Sequence, residues 1–298
     1  MSLPVEKQYA LIINPSAGGG RALKLLPEVE RQLDARHMIF RVEKTRSVEH
    51  GIDLALDAVD AREIPVVMSG DGLVGAVGGA MAGADCPLGL IPAGRGNDLA
   101  RGLGIPTDPA EAVNCLDHGF ERLIDVGEAN GERFLGIASV GFDSEANRIA
   151  NESEVLKGTL VYAYAALRTL VRWKPERFAL VEGGVQSRYT GYTVAVANNR
   201  FYGGGMCLAP DAKLSDGRLD IIVIGDASKI RFLLDLPKVF KGTHVDNEEV
   251  DTWQTSSIEI RASKPLVVYA DGDPLTTLPA TFRVLPSALP VIVPEAGP

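Results

Sequence analysis

Over the first third of the chain, short apolar runs rich in β-formers alternate with stretches of helical spacing. In order they read YALIIN, a helix near Arg21 to Arg36, FRVEKT, a helix after Ser47, PVVMSG, another helix and PLGLIPAG. Strands separated by helices predict an α/β fold with a parallel, doubly wound sheet. Asp108-Pro109 reads as an N-cap followed by proline at the first helical position, opening a helix that ends near His118-Gly119. From about Leu123 the texture changes to short strand-like runs with turn residues between them: RLIDVGEANGERFLGIASVG, RFALVEGG, YTGYTVAVANN, GRLDIIVIG, SIEIRA, PLVVYADGD and ATFRVLP. This pattern predicts an antiparallel β-sandwich or barrel-like second domain. Helical spacing interrupts it near Ser153 to Arg172 and Ser228 to Phe240. The boundary near residue 124 rests on the change of periodicity alone, since no Pro/Ser linker marks it.

Composition agrees with two domains: 298 residues with 46% apolar content can bury two ordinary cores, and 23% charged residues suit a soluble chain. A formal charge of −9 argues against a nucleic-acid partner, because phosphate backbones attract clustered Lys and Arg. Cys86, Cys115 and Cys207 are scattered singly, which suits a reducing compartment and core positions and offers neither a disulfide framework nor a zinc site. The first ten residues lack the apolar core of a signal peptide, and no run approaches the roughly 20 apolar residues that span a bilayer. The expectation is a cytoplasmic protein, soluble or peripheral to the inner face of the membrane. His37, His50, His118 and His244 share no metal-ligand spacing and read as surface or helix-end residues.

Chemistry concentrates where the predicted parallel strands end, the edge at which open α/β sheets bind ligands. Asn14-Pro15-Ser16-Ala17-Gly18-Gly19-Gly20 follows a strand and precedes a helix, so its glycines can bring backbone N–H groups against a phosphate. It lacks the GK[ST] of a P-loop, and such turns are often only tight turns. Ser69-Gly70-Asp71-Gly72 closes the strand PVVM and places one carboxylate between two glycines, where it can orient a metal or its waters. Pro92-Ala93-Gly94-Arg95-Gly96-Asn97-Asp98 is a third glycine loop, with an amide and a carboxylate opening a helix. Three such bends on successive strand ends predict one phosphate-binding cleft. The glycines between Gly75 and Gly83 fall inside a helix pattern, where they allow close packing on the sheet rather than forming a dinucleotide loop.

With those residues in view, NPSAGGG, SGDG and PAGRGNDLARGLGIP resemble the signature loops of the diacylglycerol kinase catalytic family, which includes bacterial lipid kinases and sphingosine kinases. GFDSEANRIAN, NNRFYGGGMCLAPDAKLSDGRLDI and YADGDP...LPATFRVLP occur in the order found in bacterial members, so the resemblance covers nearly the whole chain. It implies an N-terminal α/β nucleotide-binding domain of the NAD-kinase/diacylglycerol-kinase type, over residues 1–124 with 287–298 returning to it. It also implies a β-sandwich lipid-substrate domain over residues 125–286, with the active site in the cleft between the two. By the same resemblance ATP would be held by Asn14, Pro15, Ser16, Ala17, Gly18, Thr45, the loop Ser69, Gly70, Asp71 and Gly72, and by Gly94, Arg95 and Asn97. Leu73 departs from the threonine that most members carry after GDG, though sphingosine kinases are similar in having SGDGL. Arg95 stands where many members have threonine; its fork of donors can pair with ATP phosphates or the phosphorylated product, or form a salt bridge to Asp71 or Asp98.

Phosphoryl transfer to an alcohol needs alignment, charge neutralisation and an acceptor for the hydroxyl proton. Asp271-Gly272-Asp273 resembles the family's Asp-Gly-Glu, whose last carboxylate is the proton acceptor, so Asp273 would be the base, one methylene shorter. As a bare motif DGD is also a common turn. Lys213-Leu214-Ser215-Asp216-Gly217-Arg218 resembles the family's structural Mg²⁺ loop, with Asp216 as side-chain ligand and backbone carbonyls around Lys213 and Arg218. Read on its own it is equally a β-turn with Asp at its start. A second Mg²⁺ would ride with ATP, its shell held by the catalytic carboxylates Asp71 and Asp98, with Asp125 as a further candidate.

The function implied is ATP-dependent phosphorylation of a lipid hydroxyl, most directly diacylglycerol to phosphatidic acid, in phospholipid biosynthesis. A sphingoid-base kinase, an NAD kinase and a non-catalytic nucleotide- or lipid-binding protein are the alternatives. The lipid would be met at a membrane surface, with RWKPER (172 to 177) and PKVFKGTH (237 to 244) as local basic, aromatic-bearing patches for peripheral contact or, read plainly, as solvated helix ends. A homodimer is one assembly the resemblance allows.

Overall fold

The computed structural model describes residues 7–142 and 174–295, so the predicted helix near Ser153 to Arg172 lies outside the described residues. The chain divides into two compact units, one of Met1–Val126, Gly203–Gly205 and Pro286–Pro298, the other of Gly127–Tyr202 and Met206–Leu285.

The first unit opens with β1 (Gln8–Ile13), α1 (Ala17–Ala35), β2 (Ile39–Lys44), α2 (Val48–Asp60), β3 (Ile64–Ser69), α3 (Asp71–Met81), β4 (Gly89–Pro92), α4 (Asp98–Gly102) and α5 (Pro109–His118). Its four strands lie in the order β2-β1-β3-β4, all parallel, as the alternation of strand and helix patterns requires. The α1 side chains Ala22, Leu26, Val29 and Leu33 recur at helical spacing and pack with Leu11, Ile13, Met68 and Ile91 of the sheet. Asp108 caps α5, accepting from the Ala110 and Glu111 N–H groups at 2.9 and 3.1 Å, with Pro109 at the start. Gly75, Gly78 and Gly79 of α3 are buried, as close helix packing demands.

The chain continues through β5 (Phe120–Ala129), β6 (Glu132–Phe134), β7 (Ile137–Gly141), β8 (Glu176–Glu182), β9 (Val185–Ala197), β10 (Phe201–Tyr202), β11 (Met206–Cys207) and β12 (Leu219–Gly225). Next come α6 (Lys229–Lys241), a 3₁₀ turn (Thr243–Asp246), β13 (Val250–Thr255), β14 (Ser257–Ala262), β15 (Val267–Ala270), β16 (Asp273–Thr277) and β17 (Ala280–Val293). The second unit is an antiparallel β-sandwich with strand order β16-β15-β7-β9-β8-β14-β17-β5-β6, and β12 pairs with both β9 and β13. Val268 and Phe134, from opposite ends of that order, share one core with Phe178, Val194, Ile221, Ile258 and Phe282, so the sheet folds over on itself.

β17 is one unbroken strand of 14 residues. Its end joins the first unit: Leu88 N–H donates to Pro290 O at 2.9 Å, and Ile292 N–H donates to Leu88 O at 3.0 Å. Three details differ from the pattern reading. β13 (VDTWQT) was not anticipated, because its alternation is carried by polar residues. His244 does stand just past the end of α6, in the 3₁₀ turn, but it is buried and not at the surface; its Nε2 sits 3.1 Å from Leu208 O, and burial lowers its pKa. Cys86 is half-buried rather than in the core, unlike Cys115 and Cys207.

Candidate functional site

In the first unit the three glycine bends touch one another at the carboxyl ends of β1, β3 and β4. Asn14 follows β1, its N–H donating to Met68 O at 3.2 Å, and its Oδ1 accepts from the Ser16 N–H and Oγ–H at 3.0 and 2.8 Å. This turn, with Ala17 N–H donating to Asn14 O at 3.1 Å, fixes Pro15 and Ser16 at the mouth of α1. Gly18, Gly19 and Gly20 follow with φ of 60°, 70° and 88°, a left-handed run that only glycines sustain. A Cβ on Gly18 would lie 2.5 Å from Ala93 O, so the first bend rests directly on the third. The second and third are closer still: a Cβ on Gly94 would stand 2.3 Å from the Gly70 Cα. Thr45, at the end of β2, is buried beside Gly51 of α2 and donates its N–H to Ile13 O at 2.9 Å. Leu73 packs into the same corner, its Cδ1 2.6 Å from where a Cβ on Gly51 would stand. The residue after GDG is therefore a core side chain in this protein, and Ser69 beside it is also buried.

The carboxylates sit on this glycine platform. Asp71 begins α3, and its Oδ1 accepts from the Asp98 and Leu99 N–H groups at 2.6 and 3.3 Å, capping α4 from another element. Asp98 is buried, and its Oδ2 accepts from the Gly204 N–H at 2.8 Å. Asn97, left-handed at φ 53°, clamps Gly94 with its side chain, Oδ1 accepting from the Gly94 N–H at 2.8 Å and Nδ2 donating to Gly94 O at 3.3 Å. A Cβ on Gly96 would lie 2.8 Å from Asp71 Oδ2 and 3.1 Å from Asp98 Oδ2, so both carboxylates present an oxygen to the same side of that glycine. Burial raises the Asp71 pKa against the pull of its backbone donors, and burial together with the Asp71 charge raises Asp98 to about 6. Two crowded carboxylates beside open backbone suit a hard divalent cation completed by phosphate oxygens and water. Among the described residues no three His, Cys, Asp or Glu side chains are grouped to hold a metal by themselves.

Arg95 is exposed and, among the described residues, forms no ion pair with Asp71 or Asp98; its Nη2 lies 4.0 Å from where a Cβ on Gly19 would stand. Asp125 has a structural partner, accepting from the Ser287 N–H at 2.7 Å where β17 enters the first unit. Gly203 to Gly205 were not expected at this site. They belong to the first unit although their neighbours on both sides belong to the second, and Gly204 supplies the donor to Asp98. Their signal was a second run of three glycines, all with positive φ, in NNRFYGGGM.

In the second unit Asp271 and Gly272, with φ of 53° and 100°, form a two-residue hairpin turn between β15 and β16. The two aspartates of this turn stand in different surroundings. Asp271 accepts from the Leu135 and Gly136 N–H groups, both at 2.9 Å, and latches the turn to the sheet. Asp273 is exposed, and neighbouring protein raises its pKa by desolvation. The Asp216 loop is a turn closed on itself, Oδ1 accepting from the Arg218 N–H at 3.0 Å, with Lys213 and Arg218 exposed. Asp216 Oδ2 also accepts from Gln254 Nε2 at 3.3 Å, and that amide holds Asp220, whose pKa burial lifts to about 6.

Residues 8–129 match the family described as Diacylglycerol kinase catalytic domain, and residues 136–293 match the YegS C-terminal NAD kinase beta sandwich-like domain. A diacylglycerol kinase of Mycobacterium tuberculosis is 36% identical over 304 residues, covering 96% of this chain and 95% of that one. The protein named "Probable lipid kinase YegS-like" of Pseudomonas fluorescens is 35% identical over 234 residues, 77% of each chain. A crystal structure of a diacylglycerol kinase from Bacillus anthracis superposes with a TM-score of 0.78 at 23% identity over 99% of both chains, a likeness of fold.

Proposed function

Because this chain belongs to the diacylglycerol kinase family and is thereby a lipid kinase that uses ATP, we propose that it transfers the γ-phosphoryl group to diacylglycerol, yielding phosphatidic acid and ADP. The observation that carries the reading is the pair of carboxylate oxygens, Asp71 Oδ2 and Asp98 Oδ2, turned to the same side of Gly96, anionic oxygens to hold a counter-ion, on a platform whose first bend leaves Gly20 with open space around its backbone for polyphosphate to approach.

In this proposal the bends at Asn14 to Gly18, Ser69 to Gly72 and Gly94 to Asn97, with Thr45, bind ATP. Arg95, with a permanent charge and no ion pair to Asp71 or Asp98, reaches the phosphates. Asp71 and Asp98 would hold Mg²⁺ accompanying the nucleotide, and Asp216 with carbonyls near Lys213 and Arg218 would hold a structural ion. Mg²⁺, when bound, neutralises charge on the β- and γ-phosphates. Asp273 takes the proton of the attacking hydroxyl; its raised affinity for protons suits a general base better than an ordinary surface aspartate would. Asp271 holds the turn that carries it. Diacylglycerol is favoured as acceptor by the name of the relative that matches nearly the whole chain. Among the described residues no helix is long and apolar enough to cross a membrane. In this proposal the lipid is met by peripheral contact at a membrane surface.

The test is transfer from γ-labelled ATP to diacylglycerol, monoacylglycerol, sphingosine, ceramide, undecaprenol and phosphatidylglycerol in mixed micelles, with NAD in parallel and products separated by chromatography. Labelled phosphatidic acid as the main product is expected. Label in another lipid alone would overturn the acceptor, and label in NAD alone would overturn lipid phosphorylation.

A further inference from the structure

Helix α6 turns its apolar side to solvent. It packs inward through Phe232, which stacks on Tyr192 with ring centroids 4.6 Å apart and meets Phe142 edge-on at 4.8 Å, and through Val239 against the core around Tyr202 and Leu208. On the opposite side Ile230, Leu233, Leu234 and Phe240 are 75%, 45%, 68% and 57% exposed. Their spacing of three, four and ten residues from Ile230 places them in one stripe along the helix, and no residue of α6 is fully buried. A helix on a soluble core normally reverses this arrangement.

The charges around the stripe indicate its occupant. Lys229 and Lys241 stand at its two ends, and Arg231 and Lys238 line one flank. Asp235 is the only acid in the helix and bridges that flank, 2.8 Å from Arg231 and 2.9 Å from Lys238. Glu248 and Glu249 lie near Arg231 and temper the positive field there. Even so, the helix carries four cations against one carboxylate on a chain whose net charge is −9. Exposed Leu, Ile and Phe bordered by Lys and Arg is the composition of a helix lying in the interface of an anionic bilayer, with lysines reaching back to the headgroups.

We propose that α6 docks this protein on an anionic phospholipid bilayer, Ile230, Leu233, Leu234 and Phe240 entering the headgroup boundary while Lys229 and Lys241 meet lipid phosphates. This rests on the lipid-kinase reading, which requires access to a membrane-held substrate, and it names the surface that provides it.

The experiment is flotation of the full chain with vesicles of phosphatidylcholine, with and without about one third phosphatidylglycerol, at low and high salt. The variants are Ile230→Gln with Leu234→Gln, and Lys229→Gln with Lys241→Gln; glutamine preserves helix propensity, which circular dichroism checks. Binding should need the anionic lipid and weaken with salt. The apolar pair should lower the partition coefficient by about 100-fold and the lysine pair by about 30-fold. Transfer to a dispersed short-chain diacylglycerol should be unchanged in both. Vesicle binding by the variants equal to that of the original chain overturns docking, and so does loss of a dimer or a lowered unfolding midpoint with vesicle binding unchanged, since each assigns the stripe to another cover. A chain that binds vesicles through α6 but phosphorylates no lipid would leave docking standing and remove the kinase reading instead.

Discussion

Replacing Asp98 with asparagine keeps the side-chain size and an acceptor for the Gly204 N–H while removing a buried charge next to Asp71. In the folded chain this carboxyl is raised from 3.8 to about 6, first by burial and then by the Asp71 carboxylate. The folded value lies above the unfolded one, so folding favours the protonated acid. The stability the group contributes is complete below pH 3.8 and is lost as pH rises through about 6. Above that range its ionised form costs about 3 kcal/mol, at about 1.4 kcal/mol for each pH unit between the two values. Asp98→Asn escapes this cost and lets Asp71 ionise without a like charge beside it. Scanning calorimetry without nucleotide and with chelator should show the unfolding midpoint raised by about 5 °C at pH 8, and by about 1 °C at pH 4. The same variant should bind Mg²⁺-ATP more weakly, a stability gain at the expense of function. An equal gain at both pH values, or a loss at pH 8, would refute the argument that burial and Asp71 strain this group.

Other expectations follow from the same geometry. Gly94→Ala sets a methyl 2.3 Å from the Gly70 Cα, where carbon contacts need about 3.5 Å, so the bends must separate by more than about 1 Å. We expect about 1–3 kcal/mol of lost stability by urea titration and a nucleotide affinity too weak for calorimetry; unaltered ATP binding would show that the bends are not the platform. Asp271→Asn keeps a residue tolerant of φ 53° but gives the Leu135 and Gly136 N–H groups a poorer acceptor. It should cost about 1–3 kcal/mol in the same titration, and a variant as stable as the original would deny the latch.

Much of this arrangement could be read along the chain, for identifiable reasons. The glycines of NPSAGGG, SGDG and PAGRGND were legible as strand ends, and the structure shows what needs them, since Gly18 passes Ala93 O and Gly70 lies against Gly94. Asp108-Pro109 opened a helix as local chemistry requires. Long-range placement was less legible. Gly204 reaches Asp98 across 106 positions, and glycines carry no hydropathy pattern that would link them. The DGD turn concealed two different environments for identical side chains, since only the register of β15 on β7 brings Asp271 to the Leu135 and Gly136 amides while Asp273 stays exposed. β13 was missed because Asp251, Thr252 and Gln254 obscure its alternation, and its pairing with β12 supplies what propensity does not. The pattern over Ser228 to Phe240 predicts a helix and its lysines a basic patch, but the outward apolar stripe depends on which side Phe232 and Val239 anchor.

The central claim is phosphoryl transfer from ATP to a lipid hydroxyl with Asp273 accepting the proton. Single-turnover transfer of labelled phosphate to diacylglycerol, measured for the original chain, Asp273→Asn and Asp273→Glu alongside ATP binding, tests it most directly. The account predicts labelled phosphatidic acid from the original chain, a rate lower by about 10²–10⁴-fold in Asp273→Asn with ATP affinity intact, and activity retained in Asp273→Glu. Transfer by Asp273→Asn at the original rate, or no labelled lipid from the original chain, would contradict it.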